Sequence, residues 1–289
     1  MLSGKMGGLR SIHSMPFESV IFNSSLSRSG STLLQNVLAQ NPRFYCSPTS
    51  GVFELLYHSR KVFSEIPQFK AQDPELMRKG FLGSCRGTLE GFYEALTDRP
   101  VVVDKSKGWL NHYQWLEGFY PSPRMIVCVR DLRSVISSME KLFLKNRHLL
   151  DPDDVQIDMK MLTTEQRTIH WLNSIPIGMG VLRIIDAIHT GIIRHCHVVR
   201  FEDLTTAPEE TMAGIYAYLG EEPYRHDFDH VEQVTNEDDS HYPVYGDHKI
   251  RHRILPVAPD YHEVLGKVLS EQIRRQNTVF YQTFYPHKS

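Results

Sequence analysis

Residues 25–34, Ser-Leu-Ser-Arg-Ser-Gly-Ser-Thr-Leu-Leu, have the outline of a phosphate-binding loop from which the lysine is missing. A Walker A loop runs G-x-x-x-x-G-K-[ST]. Ser25, Gly30, Ser31 and Thr32 keep that spacing, with Ser25 in place of the first glycine and Ser31 in place of the lysine. An apolar run (Val20, Ile21, Phe22) precedes the loop, and apolar residues at helical spacing (Leu33, Leu34, Val37, Leu38) follow it. Strand, loop and helix in that order turn backbone N–H groups and a helix N-terminus toward an anion. Without the lysine that reaches the β- and γ-phosphates, the loop is poorly suited to Mg-ATP chemistry, yet it still suits a 5′-phosphate.

Three further apolar, β-branched runs, at 100–104, 125–130 and 197–201, join 20–24 as expected buried parallel strands. Between them lie segments of helical period: 31–40, ended by Asn41-Pro42; 109–119; 133–146; 163–190, with a kink at Pro176; and 208–219, from Pro208 to Gly220. This alternation predicts an α/β fold of three layers, a central, mostly parallel sheet flanked by helices. Ligands on such sheets sit beyond the carboxyl ends of the strands. Those ends carry Arg28, Lys105, Lys107, Arg130 and Arg200, so cations converge on one edge.

The chain has 289 residues, 41% of them hydrophobic and 23% charged, which suits a globular protein with a substantial core. A net charge of −2 gives no basis for broad attraction to nucleic acid or membranes, so an anion site must come from local basic residues. Cys46, Cys85, Cys128 and Cys196 form no CxxC pair and no metal-ligand spacing. A reduced, cytoplasmic setting follows, with Cys128 in the core. No apolar run approaches a membrane span. Residues 1–16, with Lys5, Arg10 and His13, read as a flexible leader rather than a presequence, and 17–289 as a single domain. The acidic patch Asp151–Asp154 and the stretch Asn236–Ser240 read as solvated loops.

Four segments, in order, resemble the sulfotransferases that use 3′-phosphoadenosine 5′-phosphosulfate (PAPS). Ser27-Arg28-Ser29-Gly30-Ser31-Thr32-Leu33-Leu34 is similar to the loop that holds the donor's 5′-phosphosulfate. Val103-Asp104-Lys105-Ser106-Lys107-Gly108-Trp109 is similar to the strand end whose lysine, here Lys105, contacts the same group. Arg130, followed by Ser138 eight residues on, matches the pair that binds the 3′-phosphate. Val198-Val199-Arg200-Phe201-Glu202-Asp203-Leu204 matches a strand whose aromatic, Phe201, touches adenine. Gly246-Asp247-His248-Lys249-Ile250-Arg251 is similar to a basic loop that closes over the nucleotide, through Lys249 and Arg251. The plainer readings stay open beside these: a surface ion pair for Arg130, capping for Ser138, a solvated Lys107, a core Trp109, and mutual pairing of Arg200, Glu202 and Asp203.

The resemblance implies a P-loop-NTPase-like sulfotransferase fold and transfer of a sulfuryl group from PAPS to a hydroxyl or amine. The product nucleotide is 3′-phosphoadenosine 5′-phosphate (PAP), and no metal is required. Lys105 and Arg28 serve catalysis, and Ser27–Thr32, Arg130, Ser138, Phe201, Lys249 and Arg251 bind the nucleotide. The motif style is nearer to the tyrosylprotein and bacterial branch than to the steroid and phenol enzymes.

The general base is where the chain departs from the family. Lys107 stands where cytosolic members carry histidine. Cys46-Ser47-Pro48-Thr49-Ser50 lacks the glutamate of the tyrosylprotein branch. Glu54 is the nearest carboxylate, with His58 one turn later and His112 as a further candidate. Residues at about 140–190 are expected to cover the acceptor, whether small molecule, glycan or peptide. Two other readings remain, a P-loop kinase or hydrolase and a catalytically inactive PAP-binding protein.

Overall fold

The computed structural model describes residues 17–150, 157–242 and 244–286, so the leader and the patch Asp151–Asp154 lie outside the described residues. Five strands form one parallel sheet: β1 (Ser19–Asn23), β2 (Phe44–Thr49), β3 (Val101–Lys105), β4 (Arg124–Val129) and β5 (Cys196–Arg200). Their order is β2-β3-β1-β4-β5, and every pairing is parallel. All carboxyl ends therefore share one edge. Register sets Asn23 beside Lys105 on one flank and Ile126 on the other, which puts the loop after β1 at the centre of that edge. The chain leaves β1 toward β2 and β3 and later crosses to β4, so the strand order reverses around β1, where such sheets form a crevice.

Alternation along the strands divides the core in two. Val20, Phe22, Val102, Met125 and Val127 face one layer, which includes the helices Val52–Glu65, Pro74–Glu94, Tyr113–Phe119 and Leu132–Asn146. Ile21, Val101, Val103, Ile126 and Cys128 face the other, closed by Ser31–Leu38 (Leu34, Val37, Leu38) and Pro208–Leu219 (Met212, Ile215, Leu219). Trp109 is fully buried in the first layer and bonded to Asp104, so its core reading holds.

Several elements differ from expectation. β2 is a fifth strand. Its sequence Phe-Tyr-Cys-Ser-Pro-Thr is poor in β-branched residues and includes Pro48, which has no N–H to give; an edge strand tolerates both. The helix Pro74–Glu94 was not expected, because Gly80, Gly83, Gly87 and Gly91 depress its helical signal. Buried Cys85, Leu89 and Tyr93 hold it against the sheet layer. The stretch 163–190 is two helices, Thr164–Asn173 and Gly178–His189, broken at a cis Ile175–Pro176 bond rather than kinked. Among the described residues no single helix is long and apolar enough to cross a membrane; only these two, bent by 45°, meet the length and composition together.

Candidate active site

The loop after β1 is shaped by two left-handed residues, Arg28 (φ 62°) and Gly30 (φ 83°). Gly30 caps the helix Ser31–Leu38 without a side-chain bond, so the first N–H groups of the helix stay directed out of it. A Cβ on Gly30 would lie 2.4 Å from the Phe201 ring, which leaves room for no other residue. Ser29 Oγ donates to the Leu26 carbonyl at 2.6 Å, and Ser27 Oγ to that of Pro176 at 3.3 Å, tying the loop to the break between the two helices.

Lys105, 7% exposed, ends β3 and donates from Nζ to Thr32 Oγ1 at 3.1 Å and Glu237 Oε1 at 2.9 Å. Burial lowers its pKa and Glu237 works against that. Glu237 corrects the reading of Asn236–Ser240 as a solvated loop. Its side chain is 6% exposed and also accepts from Thr49 N–H and Oγ1, both at 3.0 Å. Burial alone would raise its carboxyl; Lys105 and Thr49 outweigh that and hold it below the usual carboxylate range. An acid-rich polar run gives no local sign of such a partnership, because its cause is a lysine 132 positions away. Lys107 opens to solvent at the cleft wall. Desolvation by the crowded wall, then repulsion from Lys105 and Arg183, pushes its pKa down to about 8.

At the end of β4, Arg130 donates from Nη1 to the Arg28 carbonyl at 3.3 Å and lies 4.4 Å from the Phe201 ring centroid. Its Nε is buried and has no hydrogen-bond partner among the described residues. Burial pulls the guanidinium below its ordinary range, partly offset by Glu202. Ser138, in the second turn of the helix Leu132–Asn146, accepts from Arg28 Nε at 3.2 Å. Asp131 N-caps that helix and pairs with Arg133, which keeps Arg133 out of the cleft.

These groups share one cleft of about 730 Å³, lined by Ser27, Arg28, Gly30, Ser31, Thr32, Lys105, Lys107, Arg130, Ser138, Phe201, Lys249 and Arg251. Ser29, expected among the nucleotide-binding residues, is fully buried and does not line it. Of the remaining expectations, Arg200 does pair with Asp203 at 2.6 Å, whereas Glu202 instead accepts from Asp131 N–H and Tyr285 OH. Glu54 and His58 are not brought to the cleft: they face each other on the exposed surface of Val52–Glu65, 3.9 Å apart. His112 is half-buried against Phe53 and Tyr57, outside the lining.

The sequence profile of the sulfotransferase family matches residues 21–226. Among curated proteins none matches. Of solved structures, the sulfotransferase domain from the curacin biosynthetic pathway is similar at 17% identity, covering 91% of this chain and 98% of its own, with a TM-score of 0.55. A sulfotransferase from Mycobacterium avium is similar at 16% identity, covering 93% and 78%, with a TM-score of 0.49. The matched profile spans well over half of the residues, and the fold is that of the first of these structures: the chain belongs to the sulfotransferase family.

Proposed function

We propose that the cleft takes PAPS as sulfuryl donor and transfers the group to a hydroxyl or amine acceptor. The observation that carries this reading is that the Arg130–Ser138 pair and the Ser27–Thr32 loop with Lys105 line one cavity. A single nucleotide with phosphates at both ends of its ribose fits that arrangement; one with a 5′-chain alone leaves Arg130 Nε without a partner. The donor carries about four negative charges, up to about two on the 3′-phosphate monoester and about one each on the phosphoryl and sulfuryl halves of the 5′ anhydride. Arg28, Lys105, Arg130 and the exposed Lys249 and Arg251 supply the opposite sign.

The 5′-phosphosulfate lies on the N-terminal N–H groups of the helix after Gly30, with Lys105 against it. In transfer, the acceptor oxygen or nitrogen bonds to sulfur while the bond from sulfur to the bridging oxygen breaks, and that electron pair stays on the phosphate. Lys105 is placed to meet the charge that grows there, which lowers the barrier because the charge is larger in the transition state than before it. Phe201, backed by the edge of Gly30, offers an aromatic face to adenine. No metal enters this scheme, the side-chain cations supplying the charge.

The apolar lining of the cleft comes from Met139, Val244 and Tyr245 together with Ile175 and Pro176, and the last two support part of the region 140–190 as cover of the acceptor. Of the four candidate bases, Lys107 alone lines the cleft, and its lowered pKa gives it a neutral fraction that an ordinary lysine lacks. The four cysteines are free, in keeping with a reduced cytoplasmic setting. The test is transfer of labelled sulfate from PAPS to acceptors in a cell extract, expected with the wild type and abolished by Lys105→Ala. Label that stays on the donor, with PAP still bound, would mark a nucleotide-binding protein without activity. Phosphoryl transfer from ATP would favour the kinase reading.

A further inference from the structure

Among the described residues two histidines line the cavity, His241 and His248, and their surroundings differ. The His241 side chain is 81% exposed and only approaches Asp238, at 3.8 Å. That of His248 is 22% exposed, and its Nδ1 lies 2.6 Å from Asp239 Oδ1. An ionised carboxylate can only accept, so Nδ1 carries the ring proton and the neutral imidazole keeps its lone pair on Nε2. Glu237 Oε2 lies 3.3 Å from that Nε2 yet has no hydrogen-bond partner among the described residues, so it stands off the axis of the lone pair. The other Glu237 oxygen holds Lys105 Nζ at 2.9 Å, so one carboxyl group separates Nε2 from the lysine at the donor's 5′-group.

The backbone holds this ring in place. His248 N–H donates to Asp239 Oδ2 at 3.2 Å, and its carbonyl accepts from Gln233 Nε2 at 3.0 Å. Just before it, Gly246 N–H donates to the Tyr242 carbonyl at 2.6 Å, and a Cβ on Gly246 would lie 2.7 Å from the Asp239 carbonyl oxygen, so the chain closes this tightly only with glycine. The Tyr242 ring lies 5.3 Å from the imidazole. Other nearby carboxylates are already engaged, Glu237 by Lys105 and Asp247 by Arg28 at 2.8 Å, and Lys249 is exposed.

We propose that His248 is the general base of the transfer and Asp239 the residue that positions it. The proposal rests on the donor reading of the cleft. Nε2 takes the acceptor's proton as the acceptor atom bonds to sulfur. The electron pair of the breaking bridge stays on the phosphate of PAP, and the imidazolium later gives its proton to water. Asp239 fixes the tautomer, and both carboxylates steady the imidazolium as it forms, while the Lys105 ion pair leaves Glu237 a poor competitor for the proton. Lys107 lines the same cleft, but with a pKa pushed down to about 8 most of it is still charged at neutral pH, which suits the donor's anionic groups better than the acceptor's proton.

Initial rates of labelled sulfate transfer from PAPS to the acceptors of a cell extract, measured across pH with wild type, His248→Gln and Asp239→Asn, test this. Calorimetry of PAP and thermal melts on the same proteins separate loss of the base from loss of fold or of nucleotide binding. His248→Gln is expected to transfer about 100-fold more slowly or more, while PAP binds within about three-fold of wild type. The wild-type rate should rise with pH as the imidazole loses its proton, and the residual rate of His248→Gln should lack that limb. Asp239→Asn, which frees the ring to take the wrong tautomer, is expected to be slower by at least about ten-fold. Transfer by His248→Gln within about five-fold of wild type, or a residual rate that keeps the wild-type limb, would place the base elsewhere and overturn the proposal. A loss matched by an equal loss of PAP affinity overturns it too, since that marks a nucleotide contact. If the wild type neither binds PAP nor transfers label, the donor reading itself falls, a result separable from these.

Discussion

Removal of the Arg130 side chain separates a doubly phosphorylated nucleotide from a singly phosphorylated one. The guanidinium has one carbonyl partner, Arg28, one aromatic partner, Phe201, and a buried Nε with no hydrogen-bond partner among the described residues. A 3′-phosphate that accepts from Nε and one further N–H gains two charge-assisted hydrogen bonds, each about 1.5–3 kcal/mol. Arg130→Ala is therefore expected to cost about 3 kcal/mol or more in PAP binding, roughly a hundred-fold in Kd. AMP loses only the support that the cation lends to Phe201, about 0.5–1 kcal/mol, less than about five-fold. Calorimetric titration of both nucleotides into wild type and variant, at one fixed salt concentration, measures the two ratios. A loss of PAP affinity below about five-fold, or an equal loss for AMP, would refute the assignment of the 3′-phosphate to Arg130.

Two further outcomes follow from the same geometry. Gly30→Ala combines a left-handed backbone, at about 1–2 kcal/mol, with a Cβ that displaces Phe201; a melting temperature lower by at least about 3 °C and loss of PAP binding are expected, and an unchanged melt would count against the tight approach. For Lys107, competitive acylation across pH should report a midpoint near the value of about 8 set by burial, Lys105 and Arg183, and Lys105→Ala should raise it. Its folded pKa lies below the unfolded value of 10.5, so its charge weakens the fold below about pH 8, and that penalty falls as pH rises from there to 10.5. A midpoint at the ordinary lysine value in both proteins would remove Lys107 from consideration as a base.

How far the site was legible depended on how local its signals are. Gly30, Ser31 and Thr32 were readable because a phosphate loop is a short run of backbone between a strand and a helix. Lys105 and Arg130 were readable because each ends an apolar β-branched strand, and a parallel sheet places strand ends on one edge. Glu54 was the nearest carboxylate along the chain, yet its helix turns it to the surface, away from the cleft. Glu237 was read as solvated, since nothing adjacent to it announces a buried lysine. β2 went unread because its strand character comes from pairing with β3 and not from its own residues.

From its residues alone the chain determined the alternation of strands and helices, the strand-loop-helix turn at the end of β1, and the cations at three other strand ends. These follow from periodicity and backbone chemistry, which act over a few residues. Tertiary structure alone decided which side chains meet across more than seventy positions: Glu237 and Thr32 on Lys105, Phe201 against Gly30, and Asp247 on Arg28. Such contacts depend on how the sheet orders its strands and how later loops fold back over its edge, and charge or shape complementarity at that range leaves no period in the sequence.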